Sequence, residues 1–317
     1  MKIMMNAALD ELTDEQLQRV QSVSEDNQVV VARTREEQLA QAPDVDIIFG
    51  TFNKTLYEGA KSLKWVQTES AGIDSILFDE FVESPIVLTS AKGTVGTHLA
   101  DHTWALLLGL LRGIGRAVRE RTWDNRMSIR RETWELGGRT LGIIGLGGTG
   151  VEVARRAIGF EMEVIAIDPE EVAKPDFVRE VWKPDRFHDL LDQSDLVSIC
   201  CPLTRETRNL FDREAFRHMR PHAILASVTR GPIIDTDALL EALDQGLIRG
   251  AGLDVTPQEP LAADSPLWDH PHVIITPHAS GGSPLRLDRS IDHFCENLRR
   301  FTDGRPLLSI IDKRKGY

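Results

Sequence analysis

Leu141-Gly-Ile-Ile-Gly145-Leu-Gly147-Gly148-Thr149-Gly150 decides the fold of this chain. An apolar strand runs straight into a glycine turn, and the residues after it, Val151 to Gly159, read as a helix. Gly145 suits the tight turn, Gly147 lets the backbone approach a phosphate with no Cβ in the way, and Gly150 lets the helix pack close on the strand. The free N–H groups and positive dipole end at that helix start attract a pyrophosphate.

A glycine motif alone is weak evidence, so the flanks must support it. They do: Glu163-Val-Ile-Ala-Ile-Asp168 is a second strand-like run ending in an acid about 20 residues past the turn, where a carboxylate accepts hydrogen bonds from an adenosine ribose. A 2′-phosphate would set negative charge against Asp168, and the residues that follow, Pro169-Glu-Glu171, add acid rather than arginine. The expected cofactor is therefore NAD (NADH) rather than NADP.

The strand pattern extends in both directions. Lys2 to Met5, Gln28 to Ala32, Asp46 to Gly50, Lys64 to Gln67 and Pro85 to Thr89 read as strands, separated by helix-like stretches such as Thr13 to Val23, with Thr13 as N-cap and Gln16 three residues later. A second series runs through Thr140, Val164–Ile167, Leu196–Cys200, Ala223–Val228, Gly250–Val255 and Val273–Thr276, six strands in all. Between the two series lies one long helical pattern from Thr97 to about Arg121, followed by the polar stretch Thr122 to Gly138. Pro284 to Phe301 is helical again, and Pro306 to Ile311 can return to the first series. The alternation predicts parallel sheets with helices on their faces.

At 317 residues the chain exceeds one ordinary core and predicts about two domains. A net charge of −12 argues against nucleic acid or an anionic membrane as partner, since both would be repelled. Three cysteines, two of them adjacent at Cys200 and Cys201, make a poor disulfide framework and point to a reducing cytoplasm. Met1 to Asn6 soon meets Asp10 and Glu11, so no signal-peptide core is read, and the apolar run Trp104 to Leu111 is too short to span a membrane.

Three further segments each place an ionisable side chain just past a strand, where ligands sit in open α/β sheets. They are Ser227-Val228-Thr229-Arg230-Gly231-Pro-Ile-Ile-Asp235, Gly252-Leu-Asp254-Val-Thr-Pro-Gln-Glu259-Pro260-Leu261 and Thr276-Pro-His278-Ala-Ser280. With Ser70-Ala71-Gly72-Ile-Asp74, Leu99-Ala-Asp-His-Thr103 and Cys201-Pro-Leu-Thr204, they make the chain resemble the D-isomer specific 2-hydroxyacid dehydrogenases over nearly its whole length.

The resemblance implies a Rossmann NAD-binding domain, residues 100–283, inserted into a smaller flavodoxin-like parallel α/β substrate domain, residues 1–99 plus 284–317. It implies hydride transfer between NADH and a small 2-keto acid, or from a D-2-hydroxy acid to NAD, with the substrate in the cleft between the domains. Arg230 is then the substrate arginine, His278 the general acid/base and Glu259 its partner. The chemistry wants these types: a guanidinium offers paired donors to a neighbouring carboxylate and carbonyl, and an imidazole backed by a carboxylate can deliver a proton near neutral pH.

By the same resemblance Gly148 and Thr149 meet the pyrophosphate, and Cys201, Val228, Thr229 and Ser280 border the cofactor. Asp254 approaches the nicotinamide amide, and the backbone of Ala71 and Gly72 binds the substrate carboxylate. The family also implies a homodimer through the linking helix 97–121, which carries an apolar stripe at Trp104, Leu107, Leu108 and Leu111. Arg126, Arg130 and Arg131 form a basic face within reach of an acidic substrate. Ser227 stands where the family often has Asn, Asp101 where it often has Glu, and Ala279 also departs from the usual pattern; these positions bear on specificity.

Two rivals share the fold. An NAD-sensing corepressor-like binding protein would keep the cofactor and lack turnover. A formate dehydrogenase would carry Gln where Glu259 stands. No metal is expected: the remaining eight histidines read as loop or surface residues, and the pair His270-Pro-His272 has no further ligand spacing.

Overall fold

The structure, a computed structural model, describes residues 1–7 and 12–317. Asp10 and Glu11, on which the expectation about a signal-peptide core rests, lie outside them. The chain forms two compact units, Met1–Val95 with Ser283–Tyr317, and Gly96–Gly282.

In the first unit the strands are β1 (Lys2–Asn6), β2 (Gln28–Val31), β3 (Ile47–Gly50), β4 (Trp65–Gln67) and β5 (Val87–Thr89). They pair in the order β2-β1-β3-β4-β5, all parallel. This is the flavodoxin-like order. Because successive side chains point to opposite faces, Met4, Ile48, Val66 and Leu88 meet Phe52 and Phe81 on one side. Ile3, Ile47, Phe49 and Trp65 meet Ile291, Phe294 and Leu298 of the C-terminal helix Arg286–Thr302 on the other. Thr13 caps its helix, Asp14–Gln21, in a capping box with Gln16, as the spacing predicts.

The tail is bound into this unit by buried polar groups. Asn297 Nδ2 donates to Gln67 Oε1 (3.0 Å) and its Oδ1 accepts from the Leu308 N–H (2.7 Å), while the Ile311 N–H donates to the Leu88 carbonyl (2.9 Å). Residues 306–311 return as expected, making a single antiparallel bridge between Ile310 and Thr89.

The second unit holds β6 (Thr140–Ile144), β7 (Glu163–Ile167), β8 (Glu180–Trp182), β9 (Leu196–Ile199), β10 (Ile224–Ser227), β11 (Gly250–Leu253) and β12 (Val273–Ile275). Their order is β12-β11-β10-β9-β6-β7-β8, again all parallel. The chain winds outward from β6 to β8 and then resumes at β9 on β6's other side. The switch point therefore lies between β6 and β9, where a dinucleotide binds in this architecture. Among the described residues this sheet has seven strands rather than six, because β8 escapes the sequence reading.

The linking helix differs from expectation in two respects. It runs Gly96–Leu111 and stops; Gly113 takes a left-handed φ of +67°, and a new helix covers Ile114–Glu120. A Cβ at Gly113 would lie 2.6 Å from Ile129 Cγ2, so the break is sterically fixed. Second, Trp104, Leu107 and Leu111 are buried within the unit itself, packed on Val153 and Leu141, with Trp104 Nε1 donating to the Val153 carbonyl (3.1 Å). The stripe is core, so those residues supply no partner-facing surface. No helix of the described residues is long and apolar enough to cross a membrane.

Candidate active site

The glycine turn follows β6 as read. Gly145 has φ +92°, and a Cβ there would lie 2.8 Å from both N and Cα of Cys201 on the strand-end loop of β9. Only glycine satisfies both the conformation and the contact. Gly150 sits so close to the strand that a Cβ would lie 2.1 Å from the Gly145 carbonyl oxygen. Gly147 caps the helix Gly148–Ala157, and a Cβ at that position would meet nothing within 4 Å. The space in front of the helix N-terminus is open, and the N–H groups of its first turn, Gly148, Thr149 and Gly150, have no partners within the helix.

Asp168 is the first residue after β7 and is 92 % removed from solvent (8 % exposed). Its Oδ2 accepts from the Leu146 N–H inside the glycine turn (2.9 Å) and its Oδ1 from the Glu170 N–H (2.9 Å). Each oxygen retains accepting capacity. Asp168 thus fixes the turn from the position in which it would meet a ribose. Lys183 is committed to the carbonyls of Pro169 and Glu170 and to Glu171. Burial pushes the thiols of Cys200 and Cys201 up to about 12, so neither is a thiolate at neutral pH. The Thr229 hydroxyl, on the loop after β10, is buried and without a hydrogen-bond partner among the described residues. Open space at the helix start, first-turn donors, an acceptor at the second strand end and an unpaired hydroxyl fit a dinucleotide.

The three ionisable groups stand at the ends of adjacent strands β10, β11 and β12. Arg230 is half-buried and its Nη1 donates to the Thr229 carbonyl (2.9 Å). Next to it Gly231 is pressed on the β11 loop: a Cβ there would lie 1.9 Å from Thr256 C. In that loop Glu259 Oε1 accepts from the Thr256 N–H (3.1 Å), and Glu259 Oε2 lies 2.7 Å from His278 Nδ1. Glu259 is 38 % and His278 46 % exposed, so the pair remains open to solvent. A carboxylate on Nδ1 sets that nitrogen as donor and leaves Nε2 to exchange a proton.

His278 has a left-handed φ of +51°, costly for any residue but glycine, so its surroundings must hold it. The Asp254 side of the loop does so. The His278 N–H donates to the Asp254 carbonyl (2.8 Å), the Ala279 N–H to Asp254 Oδ1 (2.8 Å), the Ser280 N–H to Oδ2 (2.9 Å), and the Thr276 hydroxyl to Oδ1 (2.5 Å). His102 Nε2 on the linking helix lies 2.7 Å from the Thr276 hydroxyl oxygen and 3.3 Å from Asp254 Oδ1.

Burial pushes the Asp254 carboxyl up, but the hydrogen bonds from Ser280, Thr276 and Ala279 outweigh it and hold the group below the ordinary carboxylate range. Its side chain has no exposed surface. Asp254 is the anchor of the loop that carries His278. Sequence reasoning missed this, as it missed His102 and Gly231, although both lie inside motifs it quoted.

Ala71 and Gly72 lie on the loop after β4, in the first unit. The Gly72 N–H donates to Ser70 Oγ (3.2 Å), and the Ala91 N–H donates to the Ser70 carbonyl (3.1 Å). Beneath them the buried Arg286 donates to the Glu69 carbonyl (3.1 Å) and lies 3.5 Å from its carboxylate. Arg126, Arg130 and Arg131 are exposed on a short helix, Arg126–Glu132.

Residues 104–280 match the family model described as D-isomer specific 2-hydroxyacid dehydrogenase, NAD binding domain. A glyoxylate reductase of Korarchaeum cryptofilum is 35 % identical over 267 residues, 82 % of this chain and 79 % of that one. A D-3-phosphoglycerate dehydrogenase of Bacillus subtilis is 35 % identical over 263 residues, 81 % of this chain and 49 % of the other. Among solved structures, a D-isomer specific 2-hydroxyacid dehydrogenase of Xanthobacter autotrophicus Py2 in complex with NADPH and MES superposes with a TM-score of 0.84 at 25 % identity, covering 100 % of this chain and 99 % of that one. The chain belongs to the D-isomer specific 2-hydroxyacid dehydrogenase family. It is an oxidoreductase of 2-hydroxy acids that uses a nicotinamide cofactor.

Asp254→Asn tests the anchoring role. An amide sets N–H groups against one or two of the N–H donors it must accept, leaving a buried group unpaired at a cost of about 2 kcal/mol. Displacing His278 should lower kcat about 100-fold with the circular dichroism spectrum retained; a kcat within twofold of the parent would contradict it. Because the folded carboxyl lies below its ordinary value, its stabilisation is present above that value and fades as pH falls through the lower one. The stability gap between parent and variant in urea should therefore narrow on acidification.

Proposed function

We propose that this chain interconverts a small 2-keto acid and a D-2-hydroxy acid with NAD(H), through Arg230, His278 and Glu259. The observation that carries the reading is the 2.7 Å contact between Glu259, on the strand end next to the one that bears Arg230, and His278, on the strand end beyond it. Bound nicotinamide supplies or accepts the hydride.

Arg230 offers paired N–H donors to the substrate carboxylate and keto oxygen. In reduction His278 gives its Nε2 proton to the keto oxygen as negative charge develops there. Glu259 stabilises the imidazolium before that transfer and fixes the ring. In the reverse direction neutral Nε2 takes the hydroxyl proton. The presence of Glu259 rather than glutamine supports an alcohol-forming reaction over formate oxidation.

Gly145, Gly147, Gly148, Thr149 and Gly150 would hold the pyrophosphate, and Cys201, Val228, Thr229 and Ser280 would border the cofactor. Asp168 supports NAD over NADP, since its carboxylate would repel a 2′-phosphate. The relatives named glyoxylate reductase direct the first assays to small keto acids. The apolar residues that remain exposed near the linking helix, Ile114, Val118, Trp123 and Met127, support pairing of two chains through this region rather than through Trp104 and Leu107. Light scattering at the mass of one chain would contradict that pairing.

NADH oxidation should appear with at least one of glyoxylate, hydroxypyruvate and pyruvate; tight NADH binding with no turnover would instead mark a cofactor-sensing protein. Glu259→Gln removes the carboxylate that holds the His278 ring through Nδ1, so kcat for reduction should fall at least about tenfold while NADH binding is retained; an unchanged kcat would refute the pairing's role. Asp168→Ala should weaken NADH binding about tenfold while leaving NADPH binding level or improved. Equal losses for the two cofactors would overturn the ribose assignment.

A further inference from the structure

His188 and His218, both read from the sequence as ordinary loop or surface histidines, come together on the cofactor-binding unit. His188 stands four residues before Asp192 on the helix Phe187–Gln193, and Glu214 stands four before His218 on the helix Arg213–His218. Residues four apart share a helix face, so each helix presents one imidazole and one carboxylate. The two helices pack against each other.

Ligand atoms of His188, Glu214 and His218 all lie within 4.8 Å of one another, and both carboxylate oxygens of Asp192 lie 3.3 and 3.4 Å from His218 Nδ1. The two imidazole rings stack with centroids 4.2 Å apart and planes 7° from parallel. Glu214 is exposed and enters no ion pair among the described residues.

We propose that His188, Glu214 and His218 bind one divalent transition ion of the zinc, cobalt or nickel class, with water completing the shell and Asp192 orienting the His218 ring through Nδ1. Two imidazoles with a carboxylate are the donor set that such ions favour, whereas magnesium and calcium prefer oxygen alone. Bonds of about 2.1 Å in a tetrahedral arrangement put donors about 3.4 Å apart, so donors now within 4.8 Å of one another close by at most about 1.4 Å on binding. An ion must lie in the plane of each ring it binds, which parallel stacked rings cannot both satisfy. Binding therefore turns one imidazole out of the stack, and both are only half-buried.

The ion ties together two helices that flank the loop beginning at Cys201, whose backbone touches Gly145 of the dinucleotide turn. Its effect is expected on thermal stability, through preferential binding to the folded chain. This site is separate from Arg230, Glu259 and His278 and does not depend on their roles.

The full chain, stripped with a chelator, is titrated with ZnCl2 by calorimetry and with CoCl2 by absorption. One ion per chain with a micromolar dissociation constant, a four-coordinate cobalt spectrum and a raised melting temperature are expected. His188→Ala and His218→Ala should each weaken binding at least about tenfold, while His270→Ala leaves it unchanged. Glu214→Gln alters an exposed side chain, so it reports on binding even where a histidine variant fails to fold, and it too should weaken zinc. Dissociation constants in the millimolar range, or binding that survives both histidine substitutions and Glu214→Gln, would overturn the site.

Discussion

The buried Asp254 carboxylate is the interaction on which the candidate site depends. One side chain accepts from two consecutive backbone N–H groups and a hydroxyl of the loop that carries His278, and its own carbonyl accepts a third N–H. That network holds His278 in a backbone region that costs a non-glycine residue about 1–3 kcal/mol, which the surroundings must supply. With the loop fixed, Glu259 on the neighbouring strand end meets Nδ1, and Gly231 lets the Arg230 loop press against the Glu259 loop. The chemistry is placed by the frame, and the frame is a set of parallel strands whose C-terminal ends share one edge.

The same edge explains the cofactor side. β6, β7 and β9 converge at the switch point, so the glycine turn, Asp168 and Cys201 become neighbours although they are separated along the chain. Asp168 bonds the turn through the Leu146 N–H and keeps acceptor capacity on each oxygen. The thiols of Cys200, half-buried, and Cys201, buried, are pushed up to about 12 and are packing groups there, not nucleophiles. In the first unit the buried Arg286 plays a comparable supporting part under the Ala71–Gly72 loop.

Much of this was legible because it is local. The glycine spacing, the acid after Ile167, the short apolar runs and the capping box at Thr13 are all short-range signals, and the structure shows the strands that were read, and the Thr13 helix, within a residue or two of their expected bounds, while the helix after the glycine turn starts three residues earlier, at Gly148. What was not legible is long-range or marginal. β8 has three residues and a single buried one, too little for a pattern. The helical reading ran through Gly113 because a lone glycine does not reveal that Ile129 will crowd it. The Trp104 stripe looks the same whether it faces a partner or its own sheet; only the position of Val153 decides. His188 and His218 meet across packed helices, which no spacing rule anticipates.

The most direct measurement is a crystal structure of the chain with NADH and oxamate, an unreactive mimic of a 2-keto acid. The account predicts the Arg230 guanidinium on the oxamate carboxylate and His278 Nε2 at about 3 Å from the oxygen that stands for the keto group, with Glu259 still on Nδ1. Oxamate bound with Arg230 and His278 both out of hydrogen-bonding reach would contradict it.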